Sequence, residues 1–192
     1  MVKIADTSYT LSGVSGEVKS STSLNNNEGI NTFGASAAAE RDVFIIARAF
    51  LNIAPMTHKK LQKLCYYAKA WYLALYDENL IHDHFEAWVH GAVQPHLYDA
   101  YKKHGYRSIP QCFDGLIPEE FNSFAREIYD AYGHLSGDEL ETINHTETPW
   151  INARKGLKPW EPSNNVISEE EMKKFYRKMI ANDSETEKKE FE

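Results

Sequence analysis

The segment from Thr57 to Tyr76 reads THKKLQKLCYYAKAWYLALY, and its pattern predicts a long helix. Thr57 is a typical N-cap residue, and the apolar residues after it recur every three or four positions. These residues form one stripe that we expect to face the core: Leu61, Leu64, Ala68, Trp71 and Leu75. The segment therefore predicts an amphipathic helix packed against the rest of the chain.

The other side of this helix carries Lys59, Lys63 and Tyr66, which form a mixed basic and aromatic face. One interpretation is a solvated face on which a single tyrosine keeps its hydroxyl in water. The other is part of a protein-binding surface, because a tyrosine between lysines offers both apolar area and charge. The sequence leaves both open.

Outward from this segment, the pattern predicts further helices and one short β element. The helix before it covers Arg41 to Asn52 and is closed by Pro55, whereas the segment from Leu80 to Val93 is typical of a strand or hairpin. Later helix starts are predicted at Pro95, at Pro118, at the capping box of Ser136 and Glu139, at Thr148 and at the capping box of Ser168 and Glu171. The fold class is mainly α (α+β), a single compact helical domain with a small β-strand or hairpin element.

Composition divides the chain into three parts. Residues 1–39 are crowded with Ser, Thr, Asn and Gly, which predicts a flexible or weakly structured N-terminal extension. Residues 40–182 carry the helical pattern and form the predicted domain. Residues 183–192 are almost entirely polar, which predicts a disordered acidic tail.

Charge and composition exclude several classes of protein. The chain of 192 residues has 21 basic and 28 acidic residues and a net charge of −7, so general nucleic-acid binding is disfavoured. It lacks the long apolar run of a membrane span and the pattern of a secretory signal. Its two cysteines have no paired spacing. We expect a cytoplasmic protein without a membrane partner.

Candidate catalytic groups are few. His82, His84 and Glu86 recur at the period of a strand, so they are the candidate ligands of a metal-dependent hydrolase. The chain contains no nucleophile elbow and no glycine-rich phosphate loop. The main prediction is therefore a protein that is not an enzyme and has no cofactor, with the hydrolase as the alternative.

Two further segments are unusual, although each alone is typical of structure and not of catalysis. The first joins Glu86 to Pro95 through an aromatic strand and a glycine turn, and the second runs from His145 to Trp150 around a helix start. Trp88 and Trp150 are expected in the core. Glu147, just before a helix, is expected to interact with the helix dipole.

Three motifs in order resemble a known family, the Panacea antitoxin domain, over roughly 41–176. The first motif is the run from Lys60 to Trp71. The matching residues of the other two are Glu86, Trp88, Gly91 and Pro95, and then His145, Glu147, Pro149 and Trp150. One departure is Ala92, where the family often has proline, and this affects the rigidity of the turn.

The resemblance implies a bacterial or phage-borne antitoxin that binds and neutralises a protein toxin encoded beside it. Partners of the family include alarmone-synthetase-like toxins that block translation, and one branch is similar to an adaptor that delivers its toxin to a cytosolic protease. On this basis the N-terminal extension would contribute partner specificity. The face of Lys59, Lys63 and Tyr66, together with that extension, is the predicted toxin-binding surface.

Overall fold

The computed structural model describes the backbone of residues 2–4, 7–9 and 41–190 and the side chains of residues 41–182. The helices in this part of the chain are α1 (Val43–Ile53), α2 (His58–Tyr76), α3 (Pro95–Tyr101), α4 (Glu119–Tyr132), α5 (Gly137–Asn144), α6 (Thr148–Ala153) and α7 (Glu169–Glu190). The strands are β1 (Val2–Ile4), β2 (Thr7–Tyr9), β3 (Met56–Thr57), β4 (Glu86–Trp88), β5 (Gly91–Val93) and β6 (Ser108–Ile109).

Helix α2 lies at the centre of the molecule. It contacts α1, α3, α4, α5, α7 and β5, so it is buried on nearly every side. Aromatic rings fill the space around it: Tyr67 stacks on Tyr132 with centroids 4.4 Å apart, and the indole of Trp71 donates a 2.9 Å hydrogen bond to the Tyr132 hydroxyl. The Tyr176 ring of α7 packs edge-on against Trp71. One core therefore joins the first and last helices.

The helix starts follow the capping residues. The Asp42 carboxylate accepts hydrogen bonds from the first turn of α1, and the Thr57 hydroxyl accepts one from the Lys60 amide. Ser136 and Glu139 form the predicted reciprocal capping box of α5. At α6 the N-cap is Glu147, one residue before the predicted Thr148. The helix predicted from Arg41 begins two residues later, at Val43, and the other starts named here lie within about one residue of the prediction.

The β structure is confined to short antiparallel pairs. Strands β4 and β5 form the predicted hairpin, in which Trp88 pairs with Gly91. A further extended segment joins the open side of β4, since the Ala87 amide donates to the Asn165 carbonyl and the Ile167 amide to the Phe85 carbonyl. Strands β3 and β6 form a second pair, and β1 and β2 a third.

The predicted fold class is confirmed: the described residues form a mainly helical compact domain with small β elements. The prediction of a flexible N-terminal extension concerns residues 1–39, which apart from β1 and β2 lie outside the described part of the chain. At the other end, the backbone of α7 is helical as far as Glu190, which differs from the disordered tail predicted from residue 183. Within the described ranges, no helix combines the length and apolar character that crossing a membrane requires.

Candidate functional site

The three motifs meet beneath the turn of the β4–β5 hairpin, and Lys63 of α2 stands at their centre. Its ammonium group donates to the carbonyl oxygen of His90 at 2.5 Å and to that of Ala92 at 3.0 Å. The residue is 1% exposed. A charged side chain is tolerated at such a depth only when its donors find acceptors, and here the hairpin backbone supplies them.

Asn144, at the end of α5, connects this turn to the third motif. Its side-chain oxygen accepts a 2.7 Å hydrogen bond from the Ala92 amide, and its side-chain nitrogen donates to the Glu147 carboxylate at 3.0 Å. Asn144 and Glu147 are both buried. One amide thus joins the hairpin to the start of α6.

Gly91 makes the close packing of this cluster possible. Its φ angle is +90°, and a Cβ atom added there would stand 2.6 Å from the Lys63 Nζ atom and 2.8 Å from the Asn144 Oδ1 atom. Only glycine provides both this backbone conformation and this lack of side-chain volume. The family-motif glycine is therefore required by the position of Lys63.

Burial shifts the proton affinities of the cluster in opposite directions. It lowers the pKa of Lys63 to about 7 and raises the pKa of Glu147 to about 7. Asn144 and the hydroxyls of Tyr176 and Tyr67, which face the Glu147 carboxylate, oppose the rise by stabilising its charged form. Burial also raises the pKa of both tyrosines well above the ordinary value, so their hydroxyls stay neutral.

The turn covers the cluster from solvent, so the hydrogen bonds of Lys63 and Asn144 serve to hold the backbone of the hairpin. On the outer side of that turn lies an apolar cavity of about 430 Å³. Its walls come from the hairpin and from the loop before α7: Trp88, Val89, His90, Pro162, Ser163 and Asn164. We call this cavity the hairpin pocket.

Trp150 and His145 support the hairpin from the side of α6. Their rings stack with centroids 4.2 Å apart, and the Trp150 indole donates a 3.1 Å hydrogen bond to the Trp88 carbonyl. Trp88 and Trp150 are half-buried, so they lie at the edge of the core and not fully inside it as predicted. Glu147 precedes α6 as predicted, but its carboxylate makes no capping hydrogen bond and points into the buried cluster.

The predicted basic and aromatic surface on α2 is wrong for two of its three residues. Lys63 is 1% exposed and Tyr66 is 0% exposed, so neither offers a face to a partner. Lys59 reaches the surface, where it forms 2.7 Å ion pairs with Asp138 and Glu141. The far side of α2 is covered because the hairpin, α5 and α7 pack around it.

The alternative metal site gains no support from the geometry. His82 and His84 are exposed, and the His84 Nε2 atom is 3.8 Å from the Glu86 carboxylate. The other Glu86 oxygen accepts a 2.7 Å hydrogen bond from the Trp88 indole. Among the side chains described, no three histidine, cysteine or acidic residues are grouped to hold a metal ion.

Several buried polar residues that position the hairpin and its neighbours are not among those predicted from the sequence. Lys69, which is fully buried, donates to the carbonyls of Ile81 and Asp83 and forms a 2.6 Å ion pair with Glu169. The Gln62 side chain exchanges two hydrogen bonds with the backbone of Gln94. Gln62 and Lys69 stand among the apolar residues of α2, which could have indicated their burial. Helical spacing alone, however, predicts that such polar side chains face the solvent.

Comparison with known families agrees with this convergence of motifs. Residues 61–151 match the family model described as antitoxin SocA-like, Panacea domain. Searches among curated proteins and among solved structures found no match. The matched range contains Lys63, the hairpin and the α5–α6 junction, and it ends one residue after Trp150. Over residues 61–151 this chain therefore matches the Panacea domain of SocA-like antitoxins, the family that its three motifs indicate.

Proposed function

We propose that this protein is an antitoxin that neutralises a cognate protein toxin by binding it directly. The family match over residues 61–151 indicates a role in a toxin–antitoxin pair. The observation that supports direct binding is the buried cluster, in which the side chains of Lys63, Asn144 and Glu147 make hydrogen bonds that hold the hairpin turn in place. Because these buried contacts hold the hairpin turn in one conformation, its outer surface is already formed before a partner binds, as in many binding proteins.

The hairpin pocket is the proposed contact site for the toxin. Its lining is mainly apolar and half-exposed, and its volume of about 430 Å³ accommodates a large apolar side chain of a partner. Such a pocket resembles those in which interface hot spots are anchored. Beside it, the His90 ring makes a 3.0 Å contact with the Glu141 carboxylate, which adds a polar rim.

The partner proposed here follows the family resemblance. It is a toxin encoded beside the antitoxin, and a translation-inhibiting, alarmone-synthetase-like enzyme is the specific candidate. In direct neutralisation, the bound antitoxin blocks the toxin while the toxin persists in the cell. Delivery to a cytosolic protease would instead remove the toxin.

Co-expression tests the proposal. The product of the neighbouring reading frame is induced in cells with this protein or with its Val89→Asp variant, which places a charge in the hairpin pocket. We expect the wild type to restore growth and Val89→Asp to fail, because an unpaired carboxylate in an apolar contact is costly to desolvate. The matched control is Ile151→Asp, an exposed apolar position outside the pocket lining, which should restore growth like the wild type.

Immunoblotting of the toxin distinguishes the two routes. Unchanged or higher toxin levels alongside restored growth support direct binding, whereas falling levels identify the adaptor route. A neighbouring product that is harmless alone, or that stays lethal with the wild type, contradicts the antitoxin function. Rescue by a folded Val89→Asp variant would remove the hairpin pocket from the contact surface.

A further inference from the structure

The segment 102–117, which we call the strap, connects α3 to α4 and lies along the connection between α1 and α2. Its first anchor is the pairing of β6 with β3, in which Ile109 faces Met56 and Ser108 faces Thr57. Ile109 is also buried in the core. The start of the strap is thereby fixed to the beginning of α2.

A second anchor fixes the later part of the strap to the end of α1. The Asn52 side chain donates to the Asp114 carbonyl and accepts from the Asp114 amide, both at 2.9 Å. The Gln111 side chain donates to the Asn52 carbonyl at 2.8 Å, and the Cys112 amide donates to the Leu51 carbonyl at 3.1 Å. The backbone of the strap is therefore held in place without help from its outward side chains.

Those outward side chains are unusually apolar. Tyr106, Leu116 and Phe113 are 93%, 92% and 84% exposed, and they are the three most exposed large hydrophobic residues among those described. Scattered apolar residues are ordinary on a surface, but three on one anchored segment form a candidate contact area. Because the backbone is already ordered, a partner would bind it with little further loss of entropy.

The strap is also basic in an acidic protein. It contains Lys102, Lys103 and Arg107 but only one acidic residue, Asp114, in a chain whose net charge is −7. Asp114 is paired with Arg48 at 3.4 Å, and Lys102 with Asp99 at 2.6 Å. The exposed Lys103 and Arg107 side chains flank Tyr106 with positive charge.

A groove lies beside the strap. It has a volume of about 400 Å³ and is lined by Tyr106 together with residues of α2 and of the start of α5. Lys59 lies in this groove and pairs with Glu141 at 2.7 Å, and Glu141 in turn contacts His90 at the hairpin pocket. These contacts therefore place the groove near the hairpin pocket.

We propose that the strap and its groove form a second part of the toxin-docking surface, one that recognises an apolar segment of the toxin flanked by acidic residues. This inference rests on the proposed function. A protein partner fits better than nucleic acid, because the overall negative charge repels phosphate whereas the apolar side chains need apolar area.

Affinity measurements with the purified product of the neighbouring reading frame test the proposal. One variant combines Phe113→Ser with Leu116→Ser, and another combines Lys103→Glu with Arg107→Glu. Controls are Ile151→Ser and Lys155→Glu, which make the same kinds of change at exposed positions outside the strap. Each strap variant should weaken toxin binding by about tenfold or more, while the controls stay within about twofold of the wild type.

Thermal melting of each free variant shows whether it is folded, and unchanged melting is expected because these side chains are exposed. Strap variants that melt normally and bind like the wild type would overturn the strap while leaving the antitoxin function intact. Failure of the wild type itself to bind would instead overturn the proposed function and the strap with it. The strap would belong to another partner if only its variants lost a concentration-dependent dimer, or lost binding to an RNA oligonucleotide, while their affinity for the toxin stayed unchanged.

Discussion

At the scale of single residues, Gly91 shows how one position supports the whole motif cluster. Its φ of +90° and its contact with the Lys63 ammonium group both exclude a side chain. We expect Gly91→Ala to lower the free energy of unfolding by roughly 2–4 kcal/mol, since backbone strain and overpacking act together. Urea unfolding measures this change.

Gly105→Ala is the matched control for Gly91. Gly105 also has a positive φ, of +55°, but a Cβ there would meet nothing within 4 Å. It should therefore cost about 1 kcal/mol, from backbone strain alone. Equal losses in the two variants would show that crowding by Lys63 and Asn144 contributes nothing.

Glu147 gives the cluster a pH dependence whose sign is fixed by its shifted pKa. Burial raises this pKa from 4.5 to about 7, so between these values the folded state holds a proton that the unfolded state has lost. The contribution of Glu147 to stability is therefore full below pH 4.5 and is lost as the pH rises through 7. We expect Glu147→Gln, which cannot titrate, to gain stability relative to the wild type across this window, by at most about 1.4 kcal/mol per pH unit.

Urea unfolding of both proteins from pH 5 to 9 measures the difference, and a difference that stays flat below pH 7 would contradict it. Lys63→Met is a control whose stability relative to the wild type should change with pH above 7, where Glu147 no longer contributes a pH dependence. Burial lowers the pKa of Lys63 from 10.5 to about 7, so the unfolded state holds the extra proton and wild-type stability gains from rising pH above 7. Relative to the wild type, Lys63→Met should therefore lose stability only above about pH 7.

At the scale of elements, Arg154 links the hairpin to the loop before α7. From the end of α6 its guanidinium group donates to the Ala87 carbonyl at 2.8 Å and to the Glu161 carbonyl at 2.6 Å. It also reaches the carbonyls of Lys158 and Pro159. Because loop residues 162–164 form one wall of the hairpin pocket, Arg154 helps to fix the distance between the two walls, together with the backbone hydrogen bonds that join Asn165 and Ile167 to Ala87 and Phe85.

Arg154→Lys should loosen that loop, because an ammonium group cannot reach carbonyls in several directions as a planar guanidinium does. We expect a loss of about 1–3 kcal/mol in the free energy of unfolding and faster amide exchange in residues 158–165. Urea unfolding measures the change in free energy, and hydrogen exchange followed by mass spectrometry measures the exchange of residues 158–165. Arg126→Lys, an exposed ion pair with Glu119, is the control and should change neither quantity measurably.

Helix α2 shows how far an element can be predicted from its own sequence. Its start and end were correct because the Thr57 cap and the spacing of apolar residues are local signals. Its predicted basic and aromatic face was wrong at Lys63, which finds acceptors in the hairpin backbone, and at Tyr66, which is buried in the core. Those carbonyl groups belong to a distant part of the chain, so the spacing of residues along α2 does not indicate them.

At the scale of the whole molecule, a single core around α2 determines which surfaces remain for binding. Helices α1, α3, α4, α5 and α7 and the hairpin cover most of α2. Concave features among the described residues include the hairpin pocket, the groove beside the strap and a pocket of about 450 Å³ between α6 and α7. Glu141 links the first two, because its carboxylate pairs with Lys59 and contacts His90. The proposed binding function therefore uses the hairpin, the strap and loops held by the core, and of the central helix only its first residues, which line the groove.

The sequence by itself determined the mainly helical fold class and the approximate helix starts, because caps, proline positions and apolar periodicity act between residues a few positions apart. Its three motifs indicated the family whose model matches residues 61–151. It also indicated the motif residues, although not what they do. Only the tertiary structure showed that Lys63 and Tyr66 are buried and that Gly91, Asn144 and Glu147 meet. The physical reason is that burial of a polar group depends on partners from distant parts of the chain, here 29 residues from Lys63 to Ala92 and 52 from Ala92 to Asn144, which only folding brings together.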